Sequence, residues 1–287
     1  MNLIYMTENK QQLKLVATDL DGTFLTNDKS ITNDNLEALY SLGKRGILRV
    51  VATGRNLKKT MEVISPEVPF DYIVFSSGAG IYDWKQGELL YYQNLNQLVV
   101  QQLANFLVAS DLNFHLFKPV PENYKCWYHR GSILCPEFEN YCRFHQAHSE
   151  LLPLNQKLGS EASQFLVVFP NNPDRFIDFK NEIECQFPEV KVLRTSSPLD
   201  TDYIWMEIFH HLVSKGNGVK FVCDALNIQH EFTMGIGNDF NDLDLLEFTN
   251  YSYIVENGPS EMKERFLPAS SNEKSAFAKA VANHIAF

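Results

Sequence analysis

The sequence predicts an α/β fold: a doubly wound parallel sheet whose chain is interrupted by a second, inserted α/β domain. Three observations carry this expectation. Short apolar runs end in clusters of Gly, Asp, Asn or Ser and lead into helical periodicity, the alternation of βαβ units. The same alternation returns near the end of the chain. Between the two, a block rich in aromatics and His has helix and strand patterns of its own.

Leu13–Ala17 reads as the first strand and runs into Thr18-Asp19-Leu20-Asp21-Gly22-Thr23. A helix follows from Thr32, with Leu36, Leu39 and Leu42 on its apolar face and Gly43 and Gly46 as stop signals. The second strand, Ile47–Ala52, ends in Thr53-Gly54-Arg55, and Leu57, Met61 and Ile64 mark the next helix. The third strand, Tyr72–Phe75, ends in Ser76-Ser77-Gly78-Ala79-Gly80. In the inserted block, Val99, Leu103 and Phe106 mark one helix and Phe176, Phe179, Ile183 and Phe187 another, while Phe165–Phe169 and Tyr203–Ile208 read as strands. The first domain then resumes. Phe232–Ile236 stops at Gly237-Asn238-Asp239-Phe240-Asn241-Asp242, and Tyr251–Val255 stops at Asn257-Gly258-Pro259. The expected division is 1–94 and 210–287 for the sheet domain and 95–209 for the insertion. Strand C-termini of an open parallel sheet share one edge, where ligands bind, so five polar clusters converge there.

Of the 287 residues, 45% are hydrophobic and 21% charged, ordinary globular values that exclude disorder and fibrous repeats. Lys and Arg number 25 against 35 Asp and Glu, a net charge of −10, which argues against nucleic-acid backbones and anionic membranes as partners. No run approaches the roughly 18 apolar residues of a membrane span. Met1–Met6 is too short for a signal-peptide core, and five cysteines without framework spacing fit a reducing compartment, so the cytoplasm is the expected location.

Asp19 and Asp21 stand two apart at a strand end, so both can face the crevice while Leu20 points away. Gly22 permits a tight turn after them and Thr23 adds a hydroxyl. Singly, such residues also suit an Asp-rich turn, Thr53 a helix N-cap, and Lys215 a solvated helix start.

Asp19-Leu20-Asp21-Gly22-Thr23 resembles the first signature of the haloacid-dehalogenase-like phosphohydrolases. Thr53 matches the second motif and Lys215, in Ser214-Lys215-Gly216, the third. Gly237-Asn238-Asp239-Phe240-Asn241-Asp242 matches the fourth, with Asn238 where an Asp normally stands. Between Thr53 and Lys215, after the third strand and its hairpin, over a hundred residues remain, a full domain. That insertion resembles the C2-type cap of the Cof-like sugar phosphatases, and Ser76–Asp83 is similar to their Asn-Gly-Ala-x-Ile-Tyr-Asp segment, with Ser77 in place of the Asn.

The resemblance implies a Mg²⁺-dependent phosphohydrolase acting on a small phosphorylated metabolite, most simply a sugar phosphate. Asp19 would be the nucleophile and form an aspartyl-phosphate, and Asp21 would serve as general acid and then base. Thr53 and Lys215 would hold the phosphoryl oxygens, with Leu20, Gly22, Gly54, Arg55, Ser77, Gly78 and Asn241 completing the cradle. Asp19, Asp21, Asn238 and Asp242 would serve the metal, Asp242 from behind the direct ligands or through water. Asn238 brings an oxygen but no charge, which lowers the expected metal affinity. Two alternatives remain: mutase-like transfer of the phosphoryl group to another sugar, and a phospho-ligand-binding regulatory protein weakened in catalysis through Asn238. The cap is expected to supply specificity, with Glu207, His210, His211, Lys118, Arg130 and Arg194 as candidate contacts. Cys126-x-x-His129, Cys135, Cys142-x-x-His145 and His148 have zinc-like spacing, but the aromatic setting equally suits buried thiols. Oligomeric state is not legible.

Overall fold

The computed structural model describes residues 13–154, 156–196 and 202–285, without the side chain of Ser196. The strands are β1 Leu15–Thr18, β2 Leu48–Ala52, β3 Tyr72–Phe75, β4 Gly80–Asp83 and β5 Glu88–Tyr92, then β6 Asn113–Phe117, β7 Cys126–His129, β8 Ser149–Leu151, β9 Gln164–Pro170, β10 Val190–Ser196 and β11 Tyr203–His210, and finally β12 Thr233–Gly237, β13 Tyr251–Val255 and β14 Leu267–Ala269. They form two sheets, ordered β14-β13-β12-β1-β2-β3-β4-β5 and β10-β11-β9-β6-β7-β8. The first is parallel from β14 to β3 and ends in the antiparallel β3-β4-β5 hairpins. The chain leaves it after β5 and returns at β12, so one sheet is split in sequence by the other.

The central strands are apolar throughout because both faces are covered. Val16, Val51, Ile73 and Ile236 pack with Phe24, Leu39 and Phe277 on one face, and Leu15, Ala17, Val50, Ala52 and Val74 with Val219, Val222 and Leu245 on the other. Helix Asn33–Lys44 starts on Thr32, whose hydroxyl accepts from the Asn35 N–H. It runs through Gly43, and the left-handed Gly46 takes the stop. The helix expected to reach Ile64 spans only Leu57–Met61. Ile64 lies beyond it and is still fully buried, because a turn carries it into the core.

The second sheet is antiparallel except for β7 and β8. Ile204, Met206 and Ile208 of β11 and Phe165, Val167 and Phe169 of β9 pack on one side with Val99, Leu103, Phe176 and Ile183, as the sequence periodicity required. On the other side, helix Pro136–Phe144 covers part of the face through Phe138 and Cys142, against Leu166, Val168 and Trp205. The rest of that face stands over the C-terminal edge of the first sheet.

Candidate active site

The cleft between the two sheets, about 590 Å³, is lined below by Asp19, Asp21, Thr53, Gly54, Arg55 and Asn241 and above by Phe117, Tyr141, Gln164, Thr195, Trp205 and Glu207. Asp19 sits at the end of β1, its N–H donating to the Ile236 carbonyl at 2.9 Å, and is 4% exposed. Leu20 turns into the core, and its carbonyl accepts from the N–H groups of Thr23, Phe24 and Leu25, which closes the turn. Gly22 occupies the left-handed region (φ 72°), and a Cβ there would meet the Asn238 amide nitrogen at 2.7 Å. The turn therefore needs Gly both for its backbone and to pass Asn238.

Lys215 opens helix Lys215–Ala225 and is 1% exposed. Its Nζ donates to Asp19 Oδ1 at 2.7 Å and to Asp242 Oδ1 at 2.6 Å, and lies 3.4 Å from Asn241 Oδ1. The other oxygen of Asp242 accepts the N–H groups of Asn238 (2.8 Å) and Asp239 (3.1 Å). Asp242 thus spends both oxygens shaping the Asn238 loop and anchoring Lys215. Asp239 caps the following turn, accepting from the Phe240 N–H. Burial pushes the Asp19 carboxyl up to about 7, Lys215 restrains it, and the charges of Asp242 and Asp21 add to the rise. Burial alone would depress Lys215, but Asp19 and Asp242 more than reverse this and keep it cationic.

Asp21 is clamped differently. Arg55 Nε donates to Oδ2 at 2.6 Å and Nη2 to Oδ1 at 2.7 Å, while Lys29 Nζ donates to Oδ1 at 2.8 Å. Partial burial opposes ionisation, but these hydrogen bonds outweigh it and hold the carboxyl at about 2. The two carboxylates therefore have widely separated pKa values, Asp19 raised by burial and Asp21 lowered by its cations.

Thr53 ends β2, 1% exposed, and its hydroxyl accepts from the Arg55 N–H at 3.2 Å. The Ser77 N–H donates to the Thr53 carbonyl and the Ser76 N–H to the Arg55 carbonyl, so the β2 and β3 loops hold one another. Ser76 (φ 48°), Ser77 (φ 54°) and Gly78 (φ 102°) are all left-handed, costing on the order of 1–3 kcal/mol for each non-glycine residue. At Gly78 a Cβ would meet the Ser214 carbonyl at 2.2 Å, so this loop presses on the start of the Lys215 helix. Ser77 Oγ is buried without a partner among the described residues.

One corner of the Asn238 amide lies 3.1 Å from Asp19 Oδ2, 3.1 Å from the Asp21 carbonyl and 3.2 Å from Thr23 Oγ1. With nitrogen at that corner, the amide donates to the Asp19 carboxylate. With oxygen there, three hard oxygens converge. That donor set fits a Mg²⁺ ion, which favours carboxylate and carbonyl ligands. Among the described residues, no three His, Cys, Asp or Glu side chains form a metal-binding group. The cap cysteines do not gather a zinc site: Cys142 Sγ lies 3.3 Å from His115 Nε2 inside a buried aromatic cluster, and all five cysteines are free thiols.

Of the expected cap contacts, Glu207 alone lines the cleft. Lys118 sits over Trp127, Arg130 pairs with Glu139, Arg194 is exposed, and His210 stacks on His211. Sequence reasoning missed Gln164, Thr195, Tyr141 and Trp205 in the roof and Asn123, whose Nδ2 donates to Ser76 Oγ at 2.7 Å. The missed signal is alternation: Gln164 and Leu166 on β9 share a face, and Leu166 pairs with Glu207 on β11.

Residues 16–281 match a family model described as haloacid dehalogenase-like hydrolase. Phosphatase YwpJ of Bacillus subtilis is 24% identical over 273 residues, covering 88% of this chain and 92% of that protein. The 5-amino-6-(5-phospho-D-ribitylamino)uracil phosphatase YwtE of the same organism is 25% identical over 284 residues, covering 91% and 94%. The solved structure of the HAD subclass IIB sugar phosphatase BT4131 superposes with a TM-score of 0.73 at 16% identity, covering 94% of this chain and 98% of that one. This last likeness shows the fold.

Proposed function

Since the chain belongs to the haloacid dehalogenase-like hydrolase family, we propose that this phosphatase removes phosphate from a small phosphorylated metabolite of the sugar-phosphate class, through an aspartyl-phosphate on Asp19. What supports the reading is the meeting of Asp19, Asp21 and Thr53, with Lys215 behind Asp19, at the edge of the parallel sheet. YwtE and BT4131 act on a ribityl phosphate and sugar phosphates by their names, in keeping with this class. The five free thiols and the absence, among the described residues, of a helix able to cross a membrane are compatible with a cytoplasmic enzyme.

Asp19 attacks phosphorus as the bond to the leaving oxygen breaks, and Asp21 delivers a proton to that oxygen. A water then attacks the aspartyl-phosphate, Asp21 takes its proton, and orthophosphate leaves with Asp19 restored. For the first step Asp21 must hold a proton that the Arg55 and Lys29 clamp opposes, so an arriving phosphoryl group has to draw these cations to itself. Lys215 offsets charge at Asp19 throughout. Asp19, the Asp21 carbonyl and the Asn238 amide oxygen would hold Mg²⁺, with Asp242 steadying the loop. Bound there, the ion cancels repulsion between the Asp19 carboxylate and the dianionic phosphate.

The test of the reading is orthophosphate release from sugar phosphates with no acceptor added, dependent on Asp19. Asp21→Asn separates the leaving groups: an alkyl phosphate needs a proton on its departing oxygen and is expected to lose about 10²–10⁴-fold in kcat/KM, whereas p-nitrophenyl phosphate, a good leaving group, loses much less. Equal losses would remove the general-acid role. Asn238→Asp adds a carboxylate to the proposed cation site, so the half-saturating Mg²⁺ concentration is expected to fall by about tenfold. An unchanged concentration would mean that position 238 does not touch the ion.

A further inference from the structure

We propose that Lys29 is a phosphate-binding residue: its ammonium rests on Asp21 in the free protein and transfers to an oxygen of the phosphoryl group when a phosphate monoester enters the cleft. The inference rests on the phosphatase reading and adds to its cradle a residue that lies outside all of the sequence motifs. Lys29 lines the same cleft as Asp19, and its Nζ donates to Asp21 Oδ1 at 2.8 Å. The turn that presents it is fastened on both sides. The Lys29 N–H donates to the Thr26 carbonyl at 2.9 Å and the Thr26 N–H to the Ser30 carbonyl at 3.0 Å. The Asn27 N–H donates to Glu273 at 2.6 Å, and Asn272 Nδ2 donates to the Leu25 carbonyl and to Asn27 Oδ1, both at 3.0 Å. Lys29 itself is left-handed (φ 67°), a conformation that glycine adopts freely and a residue with a Cβ does not. The adjacent carboxylate, Asp28, is spent on the Ser30 N–H (3.1 Å) and hydroxyl (2.8 Å), so it does not divert the ammonium from the cleft.

The commitments of the other cations single Lys29 out. Lys215 is buried between Asp19 and Asp242, and Lys59 pairs with Glu62 at 2.8 Å. Arg55 grips Asp21 with a two-pronged fork, at 2.6 and 2.7 Å, and its backbone is held between the Thr53 hydroxyl and the Ser76 N–H. Lys29 makes one bond to Asp21 through a side chain that is 45% exposed. An ion pair open to water contributes little, and an ammonium on a four-carbon stem reorients without losing a fixed geometry. Lys29 is therefore the cation that leaves Asp21 at least cost. A phosphoryl dianion beside Asp21 offers it a second anion with more charge and more acceptor oxygens. The transfer also removes one of the three hydrogen bonds on Asp21, so occupancy of the site loosens the clamp.

The experiment measures inorganic phosphate binding by titration calorimetry, and hydrolysis of p-nitrophenyl phosphate and fructose 6-phosphate, on the full-length protein with Mg²⁺ present. Lys29→Met is expected to weaken inorganic phosphate by about tenfold and to raise KM for both substrates by a similar factor, since the phosphoryl group is common to all three. Lys29→Arg should restore most of the affinity. Lys29→Gly loses the ammonium but suits the left-handed backbone, so it should match Lys29→Met in binding while melting no lower than wild type. Lys59→Met, the same charge change at a cation paired elsewhere, should stay within about twofold in phosphate affinity. Unchanged phosphate affinity in Lys29→Met, an equal loss in Lys59→Met, or a loss confined to kcat on fructose 6-phosphate overturns the proposal. Any of these beside Asp19-dependent hydrolysis in the wild type leaves the phosphatase reading standing. Absence of hydrolysis of both substrates by the wild type overturns that reading and the role of Lys29 with it.

Discussion

Asp19→Asn is expected to reduce orthophosphate release by about 10⁴-fold or more on every substrate, with the protein still folded. The amide matches the carboxylate in shape but has no anionic oxygen with which to attack phosphorus, so the covalent route is closed rather than slowed. Folding survives because Lys215 keeps Asp242 as a partner at 2.6 Å. Steady-state assays on the purified variant, beside its far-ultraviolet circular dichroism, check both halves. Residual activity within tenfold of wild type would mean that another group carries the phosphoryl transfer.

Lys215→Met is expected to remove activity and also to destabilise the protein by roughly 3–5 kcal/mol, because it strands buried carboxylates that share one cation. Asp19 is already lifted to about 7 by burial, with Lys215 as the restraint. Without that restraint its ionised form is costlier still. A buried acid with a raised folded-state pKa penalises folding as pH climbs above its unfolded value near 4, and the penalty vanishes when it is protonated in both states. Wild type and variant share this penalty up to the wild-type value of about 7, so the stability deficit of Lys215→Met that comes from Asp19 should be largest above pH 7 and shrink as pH is lowered through 7. Urea unfolding at several pH values measures this, and a deficit independent of pH would show that lost packing, not stranded charge, is responsible.

The parallel sheet was legible because its strands are covered on both faces and so read as unbroken apolar runs: Tyr72–Phe75 and Tyr251–Val255 fall where their patterns end. The chemistry-bearing loops were legible for a related reason. Asp19, Thr53, Lys215 and Asn238 each follow such a strand or open a helix, and the topology alone brings those points to one edge. Other features depend on pairing between distant residues, which leaves no periodic trace. The clamp of Arg55 on Asp21 spans 34 positions, and the Asn123 contact with Ser76 spans 47. In the roof Glu207 was legible and Gln164 was not, although both sit in strands whose other face is hydrophobic core. The helix after Asn56 ended sooner than its apolar spacing suggested because Ile64 is buried by a turn, and burial without helix satisfies the same pattern.

The central claim is that a phosphoryl group passes through the carboxylate of Asp19. Asp21→Asn slows the water step and leaves the attack on a good leaving group largely intact, so the intermediate should accumulate. Acid-quenching that variant during turnover of p-nitrophenyl phosphate, then digesting it for mass spectrometry, is expected to find one phosphoryl group on the peptide that contains Asp19. Turnover with no phosphoryl group on that peptide, or with one on a different residue, would contradict the account.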